Sequence, residues 1–403
     1  MTTLTKELIE SWANDPAAPV ALHLKQKLTS VECIDKDDHC IIYPPTYADI
    51  GYNIDTLSDS KKVALVDSVG SQANRMEPLF KSTSAKRDDW LVPQIQIALG
   101  DGKKKTKGKK EFDTENPEAP ITTLSLLDLA HRGADAVVQS SGDLAMKVRK
   151  AFSRLRETGD ASELCAIAPT SLIFGVWDSR GSSSEKRPRL IRSVIRAWDV
   201  EVLHAAAQFN SVWKELDTTQ RKELQDEATK QKKKLSVKGF ADAPAIFRDT
   251  KAAQYVEGLP NPEARVLGGV LVKGGIERTV TINLVALRGL QGSEAKETKT
   301  LRNYLLSLAL IAATTEMDLF LREGCHLRYT GDDKWFLVPR RGEIVEVNLA
   351  TKEAAAIFTE TAKDGTTHFR SKWPEQMEYI FDVAEAKKLL AAKEEVEQPT
   401  EKP

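Results

Sequence analysis

The sequence predicts an α+β fold, on three observations. Strand-like and helix-like segments interleave without the regular spacing of βαβ units. Within residues 266–287, VLGGVLVKGGIERTVTINLVAL, Val280, Ile282 and Leu284 alternate with Thr279, Thr281 and Asn283, the period of a half-buried strand. Residues Glu297–Leu321 are strongly apolar, which suits a helix packed on a sheet rather than one on the surface.

The elements follow in order. Residues 1–30 read as a short amphipathic helix and a connector through Pro16 and Pro19, and Cys40–Pro45 as a β-type run stopped by two prolines. Residues 60–80 read as a helix, with Val63, Val66, Val69, Ala73 and Met76 at near-helical spacing. Residues 101–120 are a surface loop rich in Lys, Gly and Pro. Helices follow at Leu124–Val138 and Leu144–Thr158, and strands at 170–177 and Leu190–Val200. Residues 205–235 are helical with a break near Asp217, where Asp217 and Gln220 can form a capping box. Residues 266–287 read as a β-hairpin, and short strands end the fold near Leu327–Tyr329, Trp335–Val338 and Ile344–Val347.

Composition narrows function. A chain of 403 residues that is 41% hydrophobic can bury a large core. The formal net charge of −1 excludes a globally basic nucleic-acid binder, so a polyanion site must come from clustering of positive charge. Cys33, Cys40, Cys165 and Cys325 form no C-x-x-C pair or disulfide framework, as expected of a cytoplasmic protein. The start has no apolar signal region, and the longest apolar stretch, Leu305–Ala313, is too short to span a bilayer.

Five features bear on chemistry. On a helix over 67–80, Ser68, Gln72 and Arg75 share a face beside Ser71 and Asn74; such a row suits sugar–phosphate contacts or a solvated surface. Residues 174–196 carry Arg180, Lys186, Arg187, Arg189, Arg192 and Arg196 beside Trp177, and strand alternation puts Arg192 and Arg196 on one face. Lys103–Lys110 is a polylysine loop suited to salt-dependent contact. Residues 268–278 pair glycines with Lys273 and Arg278, as a hairpin turn or a glycine loop against a nucleic-acid backbone, without a nucleotide-binding spacing. Finally, Asp128, His131 and Asp135 could share a helical face as metal ligands, the weak basis for a hydrolase; they also read as an ordinary i,i+4 pair and its neighbour. We expect no catalytic set, metal or cofactor.

The blocks DSVGSQANRMEPLF, LDLAHRGADAVV, APTSLIFGVWDSRG, RLIRSVIRAWDV, GGVLVKGGIERTVTINLVALRGL and LRNYLLSLALIAATTEMDLFLREGCHLRY, in that order over about residues 40–347, resemble the backbone subunit of type I-G (formerly I-U) CRISPR surveillance complexes, a RAMP-superfamily protein. The resemblance implies an RRM-like (ferredoxin-like) palm over about 30–80, 165–205 and 262–347. Insertions at about 81–164 and 206–261 would supply helical fingers and a thumb, within one composite domain of residues 1–390 and a disordered tail 391–403. Either Lys103–Lys110 or 206–261 could be the thumb. It implies a non-catalytic subunit that stacks along crRNA, meets the target DNA strand through the guide, and contacts further copies of itself and other Cascade subunits. RNA contact carries over to Ser71, Gln72, Asn74 and Arg75, and to Trp177, Arg180, Arg187, Arg189, Arg192 and Arg196. The alternatives are a ribonuclease subunit of another CRISPR subtype and the metal-dependent hydrolase.

Overall fold

A computed structural model describes residues 4–34, 39–47, 50–99, 122–177, 186–204, 217–230 and 267–389. Its centre is an eight-stranded antiparallel sheet with helices against it, an α+β arrangement. The strands are β1 (Ala21–Ser30), β2 (Ile54–Thr56), β3 (Lys62–Asp67), β4 (Ile191–Trp198), β5 (Ile276–Asn283), β6 (Leu319–Arg322), β7 (Cys325–Val338) and β8 (Val345–Val347). They lie in the order β6-β7-β1-β5-β4-β3-β2, with β8 also on β7.

One face of this sheet is apolar and covered. Leu22, Leu24, Val280, Ile282 and Ile191 join helices α1 (Lys6–Asn14), α2 (Val69–Met76), α3 (Gly142–Thr158), α4 (Ala295–Thr314) and α5 (Lys352–Arg370) in the main core. Helix α4 is buried along most of its length because it lies between the sheet and α5, where Tyr304 stacks on Phe369 at 5.7 Å. This confirms the sheet-packed helix, although it ends at Thr314 and gives way to β6. A smaller core joins Leu28, Val66 and Ile195, at the other end of these strands, to Ile42 and Val270 of a separate three-stranded sheet.

Several sequence readings change, each for a physical reason. Residues 21–30 are a central strand, not a connector; buried Gln26 interrupts the apolar alternation that would have marked it. Residues 62–67 are a strand with Val63, Ala64 and Val66 all buried, so period two is masked and the valines mimic a helix. The helix over 124–138 is instead a strand, two 3₁₀ turns and one short helix; Arg132 at φ 54 has left-handed backbone that an α-helix cannot pass through. Residues 169–174 form a helix opened by Pro169, since a wholly buried apolar run does not reveal its own period. Helix α5 was not read from the sequence at all.

The hairpin over 266–287 is the most informative correction. Its strands, Leu267–Val272 and β5, do not pair with each other. Leu267–Val272 pairs with Val200–His204 and Cys40–Ile42, whereas β5 pairs with β1 and β4. The two strands running from Ile191 to His204 therefore bend alongside residues 267–283 as one ribbon. Asp199 (φ 50) and Gly275 (φ +89) make the bend, and Trp198 N–H donates to Gly275 O at 2.9 Å. A side chain on Gly274 would meet the Trp198 carbonyl oxygen at 2.8 Å. These glycines allow strand-to-strand approach. The capping box is present: Gln220 N–H donates to Asp217 Oδ1 at 2.8 Å and Asp217 N–H to Gln220 Oε1 at 3.1 Å. Among the described residues no helix is long and apolar enough to cross a membrane.

Candidate nucleic-acid interface

Strand alternation divides the candidate residues between the two faces of the sheet. On β4, Ile191, Ser193, Ile195 and Ala197 face inward, while Arg192 and Arg196 face outward with Trp198. Arg192 is exposed and Arg196 half-buried. Neither has a hydrogen bond or ion pair among the described residues. Register extends this outer face across three more strands. Arg192 is opposite Thr281, which is opposite His23, which is opposite Phe336. One row along, Thr279, Lys25 and Lys334 follow Val194; in the next, Glu277 stands between Arg196 and Lys27. Sequence reasoning missed His23, Lys25, Lys334 and Phe336 because it did not place 21–30 in the sheet.

The inner face holds a different arginine. Arg278 is fully buried and donates to Gln72 Oε1 at 3.0 Å, Ser193 Oγ at 3.2 Å, Gln26 Oε1 and the Ala313 carbonyl at 3.1 Å. Gln72, also fully buried, donates to Asp67 Oδ2 at 2.7 Å and accepts from Ser193. The same Asp67 oxygen holds Arg75 Nε at 3.2 Å. Burying these charges without such partners would be costly. Gln72 and Arg278 are therefore out of reach of a ligand in this fold, against the expectation of RNA contact. Arg75 is only partly exposed, and it lines a shallow depression with Glu316 and Asp318, whose charges disfavour a phosphate there. The helical row on α2 is real, since Ser68 caps it by accepting from Ser71 N–H, but Gln72 points into the core.

A third group gathers at the rim beside α2. Buried Arg132 pairs with buried Glu77 at 2.7 Å. Burial pushes the Glu77 carboxyl upward, and Arg132 pulls it back only in part. The same guanidinium donates to the Gly175 carbonyl at 3.2 Å and to Asn74 Oδ1 at 3.3 Å. Gly175 (φ +76) must be glycine, because a Cβ there would stand 2.9 Å from both the Arg187 carbonyl oxygen and the Arg189 side chain. Trp177, paired in register with Lys186, exposes 58% of its surface. Asn74, Trp177, Arg187 and Arg189 are thus brought together, with half-buried Ser71 nearby on α2, and the organising residue is one that the sequence reading passed over, Arg132.

The other candidates are dispersed. Lys273 is at the ribbon bend, paired with Glu201 at 2.6 Å. Arg180 and Lys103–Lys110 are outside the described residues, as is most of 206–261. Asp128 pairs with Lys81 at 2.6 Å and Asp135 caps the short helix Ala136–Gln139, so with His131 they do not share a helical face. Among the described residues no group of three or more His, Cys, Asp or Glu is placed to hold a metal ion.

Two comparisons bear on identity. No curated protein matches the chain. Residues 23–202, a little under half of the chain and including Trp177, all of β3 and β4, and β1 from His23 onward, match the family described as CRISPR-associated protein GSU0053, a similarity that supports a role in a CRISPR system.

Proposed function

We propose that the chain is a non-catalytic, guide-RNA-binding backbone subunit of a type I-G CRISPR interference complex, oligomerising along crRNA for target DNA recognition. The observation that carries this reading is the pair Arg192 and Arg196: unpaired among the described residues, on the sheet face away from the main core, within the stretch similar to a CRISPR-associated family. Arginine binds phosphate through bidentate bonds and stacks on bases, and the rim group of Trp177, Arg187 and Arg189 adds further contacts. The strand order supports an RRM-like palm. Strands β1, β4, β5 and β7 occur in that chain order, with helices between β1 and β4 and between β5 and β7, and lie as β7-β1-β5-β4, the arrangement of a βαββαβ unit.

On this reading sequence is recognised by pairing between guide and target, and the protein holds phosphates. Two guides of equal length with scrambled spacers should bind within a few-fold of each other, with affinity falling steeply as salt rises. Light scattering on long RNA should show several copies per strand, because head-to-tail contacts do not close. A one-to-one complex, a strong preference for one spacer, or metal-dependent cleavage of the RNA by the purified chain would each defeat the proposal.

A further inference from the structure

The outer face of the central strands has features that stability alone does not explain. Lys25 and Lys334 stand directly opposite each other on β1 and β7, and both are exposed. Like charges directly opposite destabilise a sheet. Lys25 has no ion pair or hydrogen bond among the described residues. Asp332, whose carboxylate feels the charge of Lys334, already holds Lys27 at 2.6 Å. Half-buried Phe336 lies in the row beside them, opposite His23, whose ring meets Thr281 Oγ1 at 2.9 Å. From Phe336 across to Arg192 is three strand spacings, about 14 Å. An aromatic ring, short hydroxyl groups and unneutralised cations thus share one half-exposed surface.

We infer that this face binds single-stranded RNA, with Phe336 as a stacking platform and Lys25 and Lys334 as phosphate contacts. Each part has its chemistry. A base has a π-face to lay on the Phe336 ring. Phosphates relieve the Lys25–Lys334 repulsion that the fold leaves standing. Thr279, Thr281 and the His23 imidazole supply groups able to meet a 2′-hydroxyl, which favours RNA over DNA. All of β7 lies beyond the stretch that matches the CRISPR-associated family, so the inference reaches past the arginines of β4 while resting on the RNA-binding reading.

The test uses the full chain and short fluorescein-labelled oligouridylate and oligodeoxythymidylate, titrated at several salt concentrations. Phe336→Ala should weaken the RNA probe by about tenfold or more, and Phe336→Leu, which keeps apolar bulk, should also weaken it. The double change Lys25→Gln with Lys334→Gln should flatten the plot of log affinity against log salt by roughly one unit or somewhat more. Lys363→Gln on α5 serves as the charge control, and melting curves check that all variants fold. If the wild type binds RNA and these face variants bind as tightly with the same slope, the inference fails and the RNA-binding reading stands. DNA bound as tightly as RNA also overturns it. A wild type that binds no RNA removes both.

Discussion

Arg192 and Arg278 stand on neighbouring strands of one sheet and live in opposite surroundings. Arg192, on β4, points outward and is unpaired among the described residues; Arg278, on β5, points inward with its guanidinium spent on two glutamine oxygens, a serine hydroxyl and a backbone carbonyl. Nothing in residue type distinguishes them. The face that each occupies decides whether an arginine is a structural clamp or a cation available to a ligand, and a strand assigns faces by counting residues in twos. The comparison can be broken or sharpened by variants on both sides.

The largest effect is expected from Arg278→Met. It leaves Gln26, Gln72, Ser193 and the Ala313 carbonyl short of a donor, and should cost about 3–5 kcal/mol of folding stability in urea denaturation. A loss under about 1 kcal/mol would show that the network is dispensable. Any effect on RNA affinity should vanish once the fraction folded is accounted for.

Glu297 is another inner clamp, on α4. Burial would raise its carboxyl, but donors from Lys372, Ser293 and Ser162 outweigh burial and hold it well below the ordinary carboxylate range. A carboxyl depressed in this way contributes stability that is fully present above the unfolded value of 4.5 and is lost as pH falls below it. Glu297→Gln should therefore cost about 2 kcal/mol at neutral pH, and the gap to wild type should narrow on acidification below about 4.5. A gap that stays constant down to pH 3, or about that, would refute the linkage.

Arg75 falls between the two classes. Its pair with Asp67, whose side chain is only 4% exposed, makes Arg75→Ala cost about 1–2 kcal/mol, with little change in the salt dependence of RNA binding. The smallest stability effect belongs to Arg192→Ala, under about 0.5 kcal/mol, because an exposed side chain with no partner among the described residues leaves nothing there unsatisfied. Its signature is instead a uniform weakening for every RNA sequence, with a salt slope lower by about 0.7. If Arg192→Ala melts early and Arg75→Ala does not, the assignment of faces is wrong.

Much of the local structure was legible in the sequence. Strand β4 was readable because Ile191, Ser193 and Ile195 alternate with Arg192, Val194 and Arg196, and α3 because its apolar residues recur at helical spacing. The capping box at Asp217 depends only on residues three apart, so sequence alone determined it. The outward direction of Arg192 and Arg196 followed from the same two-residue period.

Tertiary structure decided the rest, because the deciding contacts join residues far apart in the chain. Strand β1 has an inner glutamine that looks like a surface residue until Arg278, 252 positions later, supplies its partner. Arg132 reads as one more surface cation until Glu77, Asn74 and Gly175 close around it, and its left-handed backbone then ends a helix that spacing alone would continue. The glycines at 274–275 permit a turn or a bend equally well; the neighbouring strand at Trp198 selects the bend, and so sends Leu267–Val272 and β5 into different sheets. Periodicity is local and survives in one dimension, whereas the partner of a buried polar group is set only when distant strands take their register.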